Sequence, residues 1–310
     1  MIVGMTKILE KIGAFFALSR PPFHIVGILP FVLGGVMALA SEGYFRWDIF
    51  MWGVFGVVLI MLATYYAGEY WDYVEDSLSA RQSSSRFSGG SQVLHRGLLP
   101  RRVALWASLT SLFLAFSVGL ILQLGYGTGQ WTILLGVLGI IGGFFYSTKP
   151  VRWVSTGLGE LWIAFCYGWL PVAVGYYLQI GNVAPIINWI ATPISLTVFN
   201  VILLNEFPDY SADTVAGKTN LAVRLGLERA SVLYCFTSIA SWLVMSLSLV
   251  HLAPNWSLWL YMPVLVLSAI LVIMVKRGYW RSRVTLEKLC AANLAVNLST
   301  TTIYLLVFAG

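Results

Sequence analysis

The chain has 310 residues, of which 58% are hydrophobic and 10% charged, with a mean hydropathy of +0.80. Soluble domains carry about 25% charged residues, so a water-soluble fold is excluded and a polytopic membrane protein is expected. The net charge of +6 does not mark a nucleic-acid binder, because the cations follow the order of the apolar segments, as shown next.

Residues 1–19 read as a short amphipathic helix, with Lys7, Glu10 and Lys11 on its polar side. They lack the basic, apolar and small-residue blocks of a cleaved signal peptide. A membrane span needs about 20 apolar residues. Nine stretches qualify, roughly 23–41, 48–71, 103–124, 129–147, 157–179, 184–207, 230–251, 256–275 and 288–309. The expected fold is all-α: one transmembrane domain over 1–310, with nine helices around a central cavity. Cys166, Cys235 and Cys290 lie in apolar segments without metal-like spacing and read as small buried hydrophobes. Asn293, Asn297 and Thr300–Thr302 in the last span suit hydrogen bonds between helices.

The loops alternate in charge. Lys7, Lys11 and Arg20 precede the first span, and the second, fourth, sixth and eighth loops hold the other cations but one. Eighteen of the 19 Lys and Arg thus fall on one side, and only Arg46 falls on the other. Cytoplasmic loops are the positive ones, so the N-terminus is expected in the cytoplasm of a multi-pass cell-membrane protein. The two long loops, roughly 72–102 and 208–229, lie on that side and are expected to cap the cavity.

Each long loop follows an acidic motif. Glu69, Asp72 and Asp76 are spaced E-x2-D-x3-D, and Glu206, Asp209 and Asp213 repeat the spacing 137 residues later. Four of the five Asp in the chain lie in these two motifs. Helix positions three and four apart share a face, so each motif is expected to present three carboxylates together at the cytoplasmic end of a span. Four spans separate the copies, which suggests a parallel repeat.

Carboxylates at membrane depth are functional by default. Two facing clusters repel unless cations separate them, and hard oxygen ligands suit Mg2+, which shares its coordination with substrate phosphates. Arg81, Lys149, Lys218, Arg20 and Arg86 are the cations expected to neutralise a diphosphate. A metal pair on a diphosphate makes it a leaving group, and aromatic faces stabilise a carbocation left behind. Tyr70 and Tyr146 are the aromatics expected inside the site. Glu160 reads as an acid favouring a helix N-terminus.

On these motifs the chain resembles the UbiA-type intramembrane prenyltransferases over nearly its whole length. The second motif, Asn205-Glu206-Phe207-Pro208-Asp209-Tyr210-Ser211-Ala212-Asp213, matches closely, as do Tyr146-Ser147-Thr148-Lys149-Pro150 and Arg20-Pro21. The first motif departs, with Gly68 and Glu69 where that family usually has Asn and Asp. The resemblance implies nine helices and Asp-rich motifs that bind Mg2+ and an isoprenyl diphosphate. Asp72, Asp76, Asp209 and Asp213 are then the catalytic ligands of two Mg2+, supported by Glu69 and Glu206. Gly68, Tyr70, Ser91, Tyr146 and Asn205 would border the acceptor and the prenyl chain. Ser88-Gly89-Gly90-Ser91, with Val93-Leu94 and Gly97-Leu98-Leu99, is similar to the 1,4-dihydroxy-2-naphthoate prenyltransferases of menaquinone synthesis. That implies a polyprenyl diphosphate donor, an aromatic acceptor and a tail tunnel opening sideways to lipid.

Other readings remain open at this point. A haem or glycerol-phosphate acceptor, or a terpene cyclisation, would use the same fold. A secondary transporter also carries membrane carboxylates and repeats, but these acids sit at span ends beside polar loops. A CDP-alcohol phosphotransferase would need the contiguous run D-G-x2-A-R-x8-G-x3-D-x3-D, which the chain lacks.

Overall fold

The computed structural model describes residues 2–82, 87 and 89–310, with the side chains of all but 2–7 and 80–82 among them. Every regular element among the described residues is helical. Helix α1 is Ile2–Leu18; Arg20 in the left-handed region (φ 51°) and a tight turn at Pro21–Phe23 then redirect the chain. Helix α2 (His24–Glu42) ends on Gly43 at φ 72°, which closes it with a backbone bond to Leu39. Helix α3 (Trp47–Trp71) leads into the short α4 (Tyr73–Gln82). Then come α5 (Arg101–Leu120, drawn out by a π turn over Ile121–Gly125) and α6 (Thr132–Ser147). Helices α7 (Gly159–Ala164) and α8 (Leu170–Ile180) join through a π turn, Phe165–Trp169. Helix α9 (Ile186–Asn205) is followed by the short α10 (Tyr210–Val215) and α11 (Leu221–Leu225). The long α12 (Leu227–Leu252), α13 (Trp256–Lys276) and α14 (Arg283–Ala309) complete the chain.

Among the described residues, eight helical stretches are long and apolar enough to cross a membrane. They match the expected spans except one. The fourth, α6, is apolar but has 16 residues, about 24 Å at 1.5 Å per residue, short of a ~30 Å hydrocarbon core.

The outer surface is inverted relative to a soluble protein. Trp106, Phe113, Leu124, Phe236 and Trp259 point outward and are mostly exposed, as side chains solvated by lipid would be. Apolar contact alone then gives helices little reason to associate, so close packing and polar pairs do the holding. A Cβ at Gly34 would overlap the Val172 carbonyl, and one at Gly175 would overlap that of Phe31. These glycines let α2 and α8 touch backbone to backbone. Behind them Leu33, Val172, Ile194 and Tyr304 form the central cluster. The expected polar contacts of the last helix are present: Asn297 Nδ2 donates to Thr197 Oγ1 at 2.9 Å, and Tyr234 Oη donates to Asn293 Oδ1 at 3.0 Å. Each such bond contributes about 0.6–2 kcal/mol in a membrane interior.

Candidate active site

The first acidic motif lies where α3 gives way to α4. Asp72 (φ −89°, ψ 14°) interrupts the helix, although backbone bonds Asp72 N to Gly68 O and Asp76 N to Asp72 O run on either side of it. The three acids therefore do not share one helical face, as the spacing alone suggested. Glu69, in the last turn of α3, is almost fully buried. It accepts from Arg20 Nε at 3.2 Å, Ser91 N at 2.7 Å and Ser91 Oγ at 2.8 Å. Asp72 accepts from Ser147 Oγ and, at 2.9 Å, from Arg152 Nη2, which also pairs with Glu75. Asp76 is buried in α4, and burial raises its carboxyl well above the usual range despite Arg20 nearby.

The second motif breaks for a plainer reason. Proline disfavours helix in the residue before it and brings no N–H, so α9 stops ahead of Pro208 and α10 starts after Asp209. Asp209 accepts from Ser79 Oγ of α4 and from Gly89 N at 3.1 Å. Asp213 faces Lys218 Nζ at 3.2 Å and accepts from Asn220 Nδ2 at 2.8 Å. Glu206 accepts from Ala222 N, while Glu160 accepts from Leu221 N at 2.6 Å. Glu160 is 1% exposed and lies close enough to Glu206 for the two carboxyl groups to act on each other. It stands in the first turn of α7, as expected, and is also one half of a buried carboxyl pair.

The two motifs meet. Asp72, Asp76, Asp209, Asp213 and Glu206 line one cavity of about 230 Å³, together with Arg20, Lys218, Gly68, Tyr146 and Asn205. Both long connections reach it, the first with Phe87, Gly89 and Gly90, the second with Lys218 and Asn220. Gly90 stands at φ 69°, and a Cβ there would overlap the Asp76 carboxylate. Only glycine permits that approach at that dihedral. Lys218 sits in the common field of four carboxylates. Burial alone would lower its ammonium, but Asp72, Asp213, Asp76 and Asp209 hold it raised.

The other expected residues fall elsewhere. Lys149 is exposed and Ser91 is turned to Glu69, and neither lines the cavity. Tyr70 lies outside it, with the Arg101 guanidinium 4.3 Å from its ring centre. The Arg81 side chain and the whole of Arg86 lie outside the described residues. Three residues not singled out by sequence belong to the site. Arg152 binds Asp72 and Glu75, and Tyr65 and Tyr167 line the cavity below the acids. Tyr167 is carried by the π turn of α7–α8, an irregularity common at functional sites and invisible to hydrophobic periodicity.

The UbiA prenyltransferase family model matches residues 28–298. This chain belongs to that family. Among curated relatives, it is 27% identical to the 1,4-dihydroxy-2-naphthoate octaprenyltransferase of Bacillus subtilis (strain 168), over 72% of this chain and 70% of that one. It is 24% identical to the enzyme of the same name from Haemophilus influenzae, over 85% and 86%. Among solved structures, a UbiA homolog from Archaeoglobus fulgidus bound to GPP and Mg2+ superposes with a TM-score of 0.66 at 15% identity, covering 94% of this chain and 99% of that one. The apo UbiA homolog from Aeropyrum pernix K1 gives 0.68 at 17%, covering 90% and 96%. The chain is therefore an all-α, multi-pass UbiA-family prenyltransferase.

The donor set of this UbiA-family chain suits Mg2+. Its acids offer hard oxygen ligands only, and Asn205 Oδ1 and Glu206 Oε1 are buried without a hydrogen-bond partner. No three of the described acids, His or Cys stand at ligand spacing; Arg152, Ser147, Ser79 and Lys218 hold the carboxylates instead.

Proposed function

We propose that the chain transfers an isoprenyl group from a polyprenyl diphosphate to an aromatic acceptor of the dihydroxynaphthoate type, with Mg2+ as cofactor. The observation that carries this reading is that acids from two motifs 137 residues apart line one cavity with Arg20 and Lys218. The names and coverage of the curated relatives support the acceptor class. Asp72, Asp76, Asp209 and Asp213 would hold two Mg2+, with Glu206 at the margin; Glu69 would instead position Arg20 and the Ser91 loop. Bound Mg2+ would supply positive charge to the diphosphate oxygens and make that group leave.

The remaining steps belong to side chains. Arg20 and Lys218 neutralise the diphosphate, while Ser147 and Arg152 keep Asp72 aimed at the cavity. The C–O bond of the allylic diphosphate breaks, and Tyr146, Tyr65 and Tyr167 turn ring density toward the cation. The Asn205 amide orients an acceptor hydroxyl, an electron-rich ring carbon forms the new C–C bond, and that carbon then sheds its own substituent, as a proton to the departed diphosphate or as CO2 from a carboxylated carbon, to restore the ring. The cation bias of the loops supports a cytoplasmic N-terminus, an active site open to the cytoplasm under a cap of the two long loops, and nine spans with α6 the short one.

The test is turnover of purified protein with Mg2+, prenyl diphosphates and dihydroxynaphthoate, followed by product mass. Asp72→Ala or Asp209→Ala, or removal of Mg2+ by chelation, is expected to lower kcat/KM by three orders of magnitude or more, with the thermal midpoint little changed. Near-normal turnover in either variant would defeat the scheme.

A further inference from the structure

A groove of about 600 Å³ runs down the outer surface between α7, its π turn, α9 and α12. It shares no lining residue with the acidic cavity. On α9, Val198 and Ile202 line that cavity, whereas Leu196 and Phe199 line the groove. Leu161 and Phe236, which also line it, are 59% and 69% exposed, so the groove opens toward lipid. Phe165 and Trp169 stack along its wall with ring centres 5.5 Å apart. The polar groups of the wall are engaged with their own helices. Thr192 Oγ1 donates to Asn188 O, Ser195 Oγ to Ala191 O and Thr237 Oγ1 to Leu233 O. Such a wall accepts hydrocarbon.

One end of the groove is cationic. Gly157 and Leu221 line that end, on the same membrane face as the acidic cavity, and Leu221 N bonds Glu160 there. The Arg224 side chain lies against Gly157, where a built Cβ would come within 2.6 Å of it. Arg229 precedes Leu233 by four residues and Thr237 by eight, so it stands on the groove side of α12. Both guanidinium groups are exposed. Neither forms an ion pair among the described residues, and the acid beside them, Glu228, is paired with Arg281 at 2.7 Å. The depth fits one leaflet. From Arg229 to Thr237 the groove descends eight residues, about 12 Å, against a hydrocarbon half-thickness of about 15 Å. A span from a second copy would need a face about 30 Å long.

We infer that this groove seats one anionic phospholipid, its acyl chain on the Phe165–Trp169 wall and its phosphate between Arg224 and Arg229. Guanidinium groups bind phosphate oxygens through paired N–H donors, and each cation near an anionic lipid headgroup adds to its attraction. A zwitterionic lipid brings the same chain and phosphate, but its ammonium opposes the two arginines. The selectivity therefore lies at the rim, and the chain supplies contact that does not distinguish headgroups.

The experiment places the full chain in phosphatidylcholine vesicles with a trace of a phospholipid bearing a diazirine in its acyl chain, either phosphatidylglycerol or phosphatidylcholine. After illumination the labelled peptides are mapped by mass. In the parent the phosphatidylglycerol probe is expected to label peptides over 161–169 and 229–237 about tenfold more than the phosphatidylcholine probe does. The pair Arg224→Gln and Arg229→Gln is expected to bring that ratio close to one. Leu196→Trp, which fills the groove, is expected to remove the label from both probes. Arg277→Gln, an exposed cation at the end of α13, is expected to change nothing. A parent ratio close to one overturns the inference and leaves a groove for any lipid chain. An equal loss in Arg277→Gln overturns it in favour of general attraction to the charged surface. No label in these peptides, or cross-links that join two chains there, assigns the groove to no lipid or to a second copy. Arg224 Nε also donates to Thr219 O, so Arg229→Gln alone replaces the pair if the double variant does not fold, with a fall of at least threefold expected. Thr192→Phe likewise replaces Leu196→Trp.

Discussion

Gly90 shows how tightly the site is drawn at the residue scale. Its backbone passes the Asp76 carboxylate in a conformation that a Cβ resists on two counts, by overlap and by φ. Gly90→Ala is therefore expected to cut kcat/KM at least tenfold while helicity by circular dichroism stays unchanged; parental activity would show that the loop does not need that approach. Asp213 carries a pH dependence. Burial pushes its carboxyl up to about 6, against the pull of Lys218 and with a push from Asp209. Below about pH 6 the metal-free fold keeps a proton there that Mg2+ must displace. Through this group apparent Mg2+ affinity by calorimetry is expected to rise about tenfold from pH 5 to pH 7. In Asp213→Asn that part of the slope should vanish, leaving what the buried Asp76 contributes, and a parental slope in this variant would remove Asp213 from the ligand set. The sign for stability is the reverse of the usual carboxylate. A folded pKa above the unfolded one stabilises the metal-free protein at low pH, and this contribution is lost as pH rises through about 6.

At the scale of the element, the spacing E-x2-D-x3-D located both ends correctly but misjudged their form. It assumed an unbroken helix, whereas Asp72 is a bend and Pro208 stops α9. The proline was legible in advance. The bend at Asp72 was not, because it is held by Ser147 and Arg152, which arrive from about 75–80 residues away. The crossing of α2 on α8 is a second case. Glycine is common in membrane helices, so Gly34 and Gly175 signal a close contact without naming the partner. Gly34→Val is expected to destabilise by about 1–3 kcal/mol, occasionally more, through overpacking. A lowered thermal midpoint in detergent would register it, and a midpoint equal to the parent's would mean that α2 and α8 can part at little cost.

At the scale of the whole molecule, the sequence by itself determined the membrane class, the helix positions and the pairing of two acidic ends. These follow from local quantities: a run of apolar side chains, the sign of the loop charge, and a motif repeated at a fixed offset. Only the tertiary structure decided which cations reach the acids. Lys218 and Arg20 line the cavity, Lys149 does not, and Arg152 binds Asp72. It also decided that Glu69 serves Arg20 and that Glu160 meets Glu206. Such facts depend on where helices remote in sequence cross. In a membrane those crossings are selected by close backbone packing and polar partners rather than by hydrophobicity, so no periodicity along the chain records them.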